Sequence, residues 1–142
     1  MPLNITLKPG EPVFIGNAEV RILTKNICTI VIDGDAPVLR SDYAISAAQA
    51  TDTASRLRLV LQRMYLTGDI KANHAEYFRL AQAILLENSD RLDWIQETNQ
   101  LLMEGDVYQA VKIAKRHCAA DEIADWQDDG DHPMPRARMS GG

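Results

Sequence analysis

The sequence predicts an α+β fold, with a small antiparallel β unit over residues 1–45 followed by a helical hairpin or bundle unit over residues 46–126. Apolar and polar residues alternate in the first stretch with the period of half-buried strands. In the second stretch the apolar residues recur at three- and four-residue spacings, as on one face of a helix. Residues 127–142 are rich in Asp, Gly and Pro and have no apolar period, which predicts a flexible polar tail.

Five short strands joined by tight turns are predicted for the β unit. The alternation is clearest at the start, where LNITLK places apolar residues at odd positions. Turn signals such as PGEP and DGDAP separate the later candidates, at residues 13–15, 18–22, 27–32 and 38–40. Five such strands favour a small antiparallel sheet or barrel. So few residues bury little surface, so we expect the rest of the chain or a second copy to cover the apolar face.

Start and stop signals predict the first two helices. The first begins near Thr53, runs to about Leu66 and ends at Gly68, since glycine readily takes the left-handed conformation at a helix end. Asn73 and Glu76 have the spacing of a capping box and announce a second helix. Its predicted inward residues are Tyr77, Leu80, Ala81, Ile84 and Leu85.

Two further helices are predicted beyond residue 88. Ser89 is expected to cap the third and Gly105 to close it, with Leu92, Ile95 and Leu102 inward. The fourth is expected to be capped by Asp106, with inward residues Val107, Ala110, Val111, Ala114 and Cys118. The similar segments GDI at 68–70 and GDV at 105–107 each fall where one helix stops and the next begins. We interpret them as the same stop-and-cap chemistry, because a repeat protein needs at least three units.

Composition and charge exclude several classes of protein. Hydrophobic residues make up 46% of the 142 residues and charged residues 25%, which is a globular balance. The net charge of −5 argues against nonspecific coating of nucleic acid, which needs a cationic surface. The chain shows neither an apolar run of membrane-spanning length nor a signal peptide at its start, so we expect a cytoplasmic protein. Cys28 and Cys118 form no C-x-x-C pair and are expected to be reduced thiols.

Signatures of catalysis and of metal or cofactor binding are missing from the sequence. It contains no phosphate-binding loop, no dinucleotide-binding glycine motif and no nucleophile elbow. His117 and Cys118 are neighbours on a helix and point about 100° apart, so they would not readily share a metal. The acidic residues near the C-terminus lack the glutamate that an EF-hand loop needs. We therefore predict a protein that is not an enzyme and needs no cofactor or metal.

One basic segment stands out from the acidic background. In RLRLVLQR, at 56–63, the charges are Arg56, Arg58 and Arg63, and no acidic residue lies between Asp52 and Asp69. Arg56 and Arg63 share a helix face, which suits contact with phosphates. The alternative interpretation is a solvated face whose long stems cover apolar surface, and these residues alone favour it. Lys8 and Arg40 form a second basic candidate if the first and last strands pair.

The order of features resembles the FlbT family of flagellar regulators. PLNITLKPGE, VLRSDY, TASRLRLVLQRMYL and LLMEGDVYQAVKIAKR carry the resemblance, which covers roughly residues 2–118. It implies a cytoplasmic post-transcriptional regulator that associates with the 5′ untranslated leader of flagellin mRNA and controls its translation and decay. The chain departs from the family in its long polar end and in Ala54, where the family often has proline.

The strand half alone also resembles the carbon storage regulator (CsrA) family of dimeric RNA-binding proteins. The matching positions are Ile5, Lys8, Val38, Leu39 and Arg40. Leu7 stands where that family has a second basic residue, which should weaken a contact to phosphate. This resemblance implies a homodimer whose strand edges read unstacked bases, a mode that RNA-binding proteins commonly use.

Together these observations give a predicted RNA-binding set and one rival hypothesis. The set is Ile5, Lys8, Val38, Leu39, Arg40, Arg56, Arg58 and Arg63, with the flagellin mRNA leader as ligand. Tyr43 is expected either to stack on a base or to close the core with Phe14. The rival is an adaptor for flagellin or for the companion regulator FlaF, acting through an exposed apolar patch around Leu101, Leu102 and Met103.

Overall fold

The computed structural model of the protein describes residues 2–118 and confirms the α+β fold. All five strands and all four helices predicted from the sequence are present in the predicted order. The strands are β1 (Leu3–Leu7), β2 (Pro12–Ile15), β3 (Ala18–Arg21), β4 (Cys28–Ile32) and β5 (Val38–Arg40). The helices are α1 (Thr53–Thr67), α2 (His74–Glu87), α3 (Leu92–Glu104) and α4 (Val107–His117). The predicted tail at 127–142 lies outside the described residues.

The strands form two antiparallel sheets where the sequence predicted one sheet or barrel. β1 pairs with β4, and β2 lies between β3 and β5. The β1–β4 register sets Ile5 opposite Ile30 and Leu3 opposite Ile32, which gathers most of the apolar residues of both strands on one face. This match explains why β4 pairs with β1 and not with its sequence neighbour β3.

The sheet centred on β2 is covered on both faces by the rest of the chain. Val13 and its neighbours on one face pack with Ile5 and Leu7 of the β1–β4 ribbon in a small core. Because side chains alternate along a strand, Phe14 and Leu39 point to the other face, where they pack with the helices in the main core. The molecule therefore has three layers, the ribbon, the central sheet and the helices.

The end of α1 and the start of α4 follow the predicted chemistry, and the start of α1 carries a capping box that was not predicted. Asp52 accepts a hydrogen bond from the backbone N–H of Ser55 at 2.8 Å, and the Ser55 hydroxyl donates to the Asp52 side chain and lies 3.0 Å from the Asp52 backbone nitrogen. Gly68 ends α1 with a φ of 72°, in the left-handed region. The Asp106 carboxylate accepts from the backbone N–H of Gln109 at 3.2 Å, which caps α4. The five predicted inward residues of α4 are all buried.

Two predicted caps and one predicted core position are wrong. Asn73 makes no cap bond, because its amide donates to the backbone oxygen of Asp69 at 2.8 Å and its oxygen accepts from Arg63. Ser89 opens a 3-10 turn (Ser89–Arg91) whose side-chain cap is Asn88. This turn sets the rotation of α3, so Leu92 faces outward. Trp94 and Ile95 enter the core in its place.

Buried polar side chains of α1 hold the segment that connects the strands to the helices. Gln62 accepts from the backbone N–H of Ile45 at 2.8 Å and donates to the carbonyl of the same residue at 3.0 Å. One turn earlier, Arg58 donates to the carbonyl of Ala44 at 3.2 Å. Because buried backbone groups need partners, these bonds fix the connection against α1. Within residues 2–118, no helix has both the length and the apolarity to cross a membrane.

Candidate nucleic-acid interface

Two of the predicted RNA-contacting side chains are in the cores. Ile5 lies in the small core between the ribbon and the central sheet. Leu39 lies in the main core against the helices and is fully buried. Each occupies its position because strand alternation directs it inward. Neither side chain is on the surface, so only their backbone groups could contribute to an interface.

The backbone edge of β5 is closed at Val38. β5 pairs with β2 on one side only, which leaves its other edge without a neighbouring strand. The hydroxyl of Tyr65, on α1, donates to the Val38 carbonyl at 3.0 Å and lies 3.3 Å from the Val38 backbone nitrogen. Burial raises the pKa of this hydroxyl above its usual value, and the bond to Val38 acts in the opposite direction. The edge at Val38 is therefore held by the protein itself.

The strand pairing that would have brought Lys8 and Arg40 together does not form. β1 pairs with β4 and not with β5, so the pairing suggested for the first and last strands is absent. Arg40 nevertheless reaches β1, where its Nη2 donates to the backbone oxygen of Thr6 at 3.1 Å. Glu11 joins the same neighbourhood by accepting from the Lys8 backbone N–H at 2.9 Å and from the Ser41 hydroxyl at 3.3 Å. Both cationic side chains are exposed.

The three arginines of α1 have three different environments. Arg58 is only 1% exposed and serves the buried connection to Ala44, so its side chain does not reach the surface. Arg63 is exposed but forms an ion pair with Glu76 at 3.0 Å. Arg56 alone of the three combines exposure with no ion pair among the residues the structure describes. The predicted arginine patch therefore reduces to two exposed cations, of which Arg56 has no ion pair within residues 2–118.

A cluster of tyrosines and lysines lies where α1, α4 and the turn after β5 meet. We call Tyr43, Tyr65, Tyr108, Lys112 and Lys115 the tyrosine–lysine cluster. The Tyr108 ring centroid lies 5.4 Å from that of Tyr65 and 6.4 Å from that of Tyr43. The Nζ of Lys112 lies 5.7 Å from the Tyr43 centroid and 5.5 Å from the Tyr108 centroid, and the Nζ of Lys115 lies 4.9 Å from the Tyr43 centroid. These are cation–π distances.

Next to this cluster the two similar Gly-Asp turns line one cleft. Gly68 and Gly105 end their helices with φ values of 72° and 81°, which glycine adopts without steric cost. Tyr65 and Tyr108 form part of the wall of the cleft, whose volume is about 300 Å³. That volume is at the lower end for ligand pockets, about 300–1,000 Å³. The two turns, which are similar in sequence, therefore also lie side by side in the fold.

Most of this cluster was not predicted from the sequence, although a signal was present. Tyr108, Lys112 and Lys115 follow the spacing i, i+4, i+7, which places them on one face of α4. That face is offset from the apolar residues used to predict the inward side of the helix. Tyr43 was expected to meet either a base or Phe14, and it packs against the same main core as Phe14. Its contact with α4 joins residues far apart in sequence and has no local signal.

The apolar patch required by the adaptor hypothesis is largely absent. Leu101 and Leu102 are partly buried and pack against the main core. Met103, which is 82% exposed, is the one residue of the three that faces solvent. A partner helix needs several apolar anchors along one groove, so this segment does not favour the adaptor hypothesis.

The histidines and cysteines do not come together as metal ligands. The His117 imidazole stacks on the Trp94 indole, with ring centroids 4.7 Å apart, while Cys118 is buried at the end of α4. Cys28 lies on β4, and His74 packs its ring edge against Phe78. Across residues 2–118 there is no group of three or more His, Cys, Asp or Glu side chains that could hold a metal ion.

The fold and this surface define a small α+β protein with accessible cationic and aromatic side chains near the junction of its two halves. The sequence profile of the family described as "Flagellar protein FlbT" matches residues 3–122. The chain belongs to this family. No solved structure matches the chain significantly.

Curated relatives carry the same family name. The chain is 30% identical over 138 residues to "Probable flagellum biosynthesis repressor protein FlbT 1" of Bradyrhizobium diazoefficiens, covering 96% of this chain and 94% of the relative. It is 31% identical over 112 residues to "Probable flagellum biosynthesis repressor protein FlbT" of Rhodopseudomonas palustris, covering 79% and 88%. A Mesorhizobium japonicum protein of the same name is 26% identical over 116 residues, covering 80% and 78%. These comparisons give no support to the CsrA resemblance.

Proposed function

We propose that the protein is a cytoplasmic post-transcriptional regulator that binds the 5′ untranslated leader of flagellin mRNA and controls its translation and decay. Membership of the FlbT family, matched over residues 3–122, carries this proposal. The relatives are named repressors of flagellum biosynthesis, which favours repression as the direction of control.

The accessible part of the predicted set supports an RNA contact. Lys8, Arg40 and Arg56 are exposed cations, whereas the side chains of Ile5, Leu39 and Arg58 are buried. The Arg40 guanidinium is held beside β1 by its bond to Thr6, which limits the freedom lost on binding. Guanidinium and ammonium groups neutralise phosphate charge, and a leader offers the unpaired bases that sequence-specific readers use.

The test is equilibrium binding of the purified protein to a fluorescently labelled flagellin leader across a salt series. A scrambled RNA of the same length serves as the competitor. Arg40→Ala is compared with wild type, and Arg79→Ala is the matched control because it removes an exposed arginine from α2, away from β5. The logarithm of affinity should fall with the logarithm of salt by about 0.7 per phosphate contact on a single strand.

The proposal expects selective binding to the leader that weakens with salt, is reduced in Arg40→Ala and is unchanged in Arg79→Ala. Equal binding to leader and scrambled RNA, or no binding by the folded wild type, would contradict it. In the second case, capture with flagellin or the FlaF-type regulator would test the adaptor hypothesis instead.

A further inference from the structure

The tyrosine–lysine cluster brings together side chains from three separate parts of the chain. Tyr43 follows β5 in a 3-10 turn, Tyr65 lies on α1, and α4 supplies Tyr108, Lys112 and Lys115. Tyr108 is 39% exposed, and because the Nζ of Lys112 lies 5.5 Å from its ring centroid, a base that stacks on this ring takes the place of that ammonium group. The Tyr65 ring packs against the Tyr108 ring with their centroids 5.4 Å apart. The Tyr65 hydroxyl donates to the Val38 carbonyl. The result is an aromatic surface held by the fold, with cations on one side.

The two lysines of the cluster are cations without an anionic partner in the described part of the chain. Neither ammonium group lies within salt-bridge distance of a carboxylate among residues 2–118, whereas Arg63 is paired with Glu76. In a protein of net charge −5, two neighbouring lysines placed over aromatic rings form a local positive site. The favourable interaction of basic groups with a helix C-terminus accounts for lysines near the end of α4 but not for their convergence on Tyr43.

We propose that the tyrosine–lysine cluster binds an unpaired nucleotide of RNA, with the base against Tyr108 and the flanking phosphates at Lys112 and Lys115. This inference rests on the proposed function and assigns it a site of which the sequence indicated only Tyr43. Proteins that bind single-stranded RNA combine stacking aromatics with a cationic path for the backbone.

The order of charged residues along α4 favours one placement of the nucleotide. Asp106 lines the cleft on one side of Tyr108 and would repel a phosphate there. Lys112 and Lys115 lie one and two turns further along α4, on the opposite side from that carboxylate. The base therefore sits at the mouth of the cleft between the two Gly-Asp turns, and the phosphates follow α4 toward its C-terminus.

The experiment uses the full-length protein and two RNA probes. One is the flagellin leader, and the other is a short unstructured oligonucleotide that contains 2-aminopurine, whose fluorescence is quenched when it stacks. Tyr108→Leu keeps an apolar side chain but cannot stack, and Tyr108→Phe keeps the ring. Lys112→Ala/Lys115→Ala removes two cations from the cluster, and Lys25→Ala/Arg79→Ala removes two exposed cations, from the loop before β4 and from α2, as the matched control.

Wild type and Tyr108→Phe should quench 2-aminopurine, and Tyr108→Leu should not. Loss of one base–aromatic stack should weaken binding roughly 5- to 150-fold. The double lysine variant should lower the salt slope by about 1.4, since each lost contact contributes about 0.7. The control double variant should keep the larger part of the wild-type slope. Circular dichroism and the thermal midpoint of each variant separate loss of binding from loss of folding.

The inference would be overturned if Tyr108→Leu and the double lysine variant are folded and keep the affinity and the 2-aminopurine quenching of the wild type. If leader binding is lost in Arg40→Ala but not in the cluster variants, the proposed function stands and the inference fails. If the oligonucleotide binds through the cluster but the leader is not preferred over scrambled RNA, the inference stands and the proposed function fails. If neither RNA binds, both fail.

Discussion

The arginines of α1 show how strongly the role of one residue type depends on its neighbours. Arg56 is exposed, Arg58 is buried against Ala44, and Arg63 is paired with Glu76. Their spacing in the sequence predicts which share a helix face but not what the rest of the chain places against that face. The set of arginines predicted to bind RNA therefore becomes smaller. Arg58 is buried and stabilises the fold instead.

Gln62 gives the most direct test of this structural role. Gln62→Leu keeps the volume but leaves the buried N–H and carbonyl of Ile45 without these partners. The free energy of unfolding should fall by about 1–3 kcal/mol, the cost of leaving buried polar groups unsatisfied. Urea denaturation measures it, with Gln82→Leu on the exposed surface of α2 as the control. Equal stability of the two variants would show that these hydrogen bonds do not hold the connection.

His117 should make stability depend on pH. Burial against Trp94 lowers the pKa of the imidazole, and the charges of Arg91 and Arg116 lower it further, while Glu97 acts in the opposite direction. The unfolded chain therefore binds this proton more readily than the folded chain. The contribution of the neutral imidazole is complete above pH 6.5 and is lost as the pH falls through the lowered pKa.

Thermal midpoints of wild type and His117→Gln between pH 5 and 8 test this dependence. The acid-side slope should be smaller in His117→Gln. Gln96→Ala, on the exposed face of α3, should keep the wild-type slope, because it leaves the imidazole on Trp94 in place. Identical slopes in wild type and His117→Gln would exclude His117 as the source.

At the scale of elements, local chemistry made most of the fold predictable. The left-handed Gly68 and Gly105 mark the ends of α1 and α3, and the apolar alternation of LNITL marks β1. Predictions failed where a tertiary contact competes with a local motif. Asn73 has the spacing of a capping box but bonds to Asp69 and Arg63, and the pairing of β1 with β4 depends on contacts between distant residues. The candidate site was less predictable because Tyr43 meets α4 only in the folded chain.

The N-terminal cap of α1 should contribute measurably to stability. Hydrogen bonds from the side chain and then the backbone N–H of Ser55 lower the pKa of Asp52. Asp52→Ala should reduce the free energy of unfolding by about 1 kcal/mol at neutral pH, the usual value of such a cap. Because the folded pKa is lowered, this contribution is present above pH 3.8 and is lost as the pH falls below it.

Urea denaturation at pH 7 and at pH 3 measures both effects of Asp52→Ala. Asp35→Ala removes an exposed carboxylate from the loop before β5 and should leave stability nearly unchanged. A difference between Asp52→Ala and wild type that does not shrink at low pH would contradict the assignment of the stabilisation to the ionised cap.

For the whole molecule, the three layers leave the outer ribbon with less support than the rest. The β1–β4 ribbon pairs with no other strand among the described residues, and an isolated two-stranded ribbon is only marginally stable. Val31, on its outer face, is 64% exposed. The helices cover the central sheet, but nothing in residues 2–118 covers this face. No described strand pairs with the outer edge of β1 or of β4, although Arg40 contacts the β1 backbone at Thr6, so the edge of β4 is the more open to a second copy.

We therefore expect a homodimer that forms through the ribbon, which would double the RNA contacts. Sedimentation equilibrium should give twice the chain mass of 15.8 kDa for wild type and for Gln82→Lys. Val31→Lys should shift the mass toward the monomer, because a lysine on an edge strand opposes pairing with another chain. A monomeric wild type at the concentrations used for RNA binding would exclude this arrangement.

The proposed RNA interface is tested most directly by ultraviolet crosslinking of the flagellin leader to the wild-type protein. Mass spectrometry then identifies the crosslinked peptides. We expect crosslinks to the peptides that contain Tyr43 and Tyr108, and further crosslinks near Lys8 and Arg40. When a scrambled RNA replaces the leader, all of these crosslinks should be weaker. Crosslinks confined to the outer faces of α2 and α3, or none under conditions in which the leader binds, would contradict an RNA interface at the junction of the two halves.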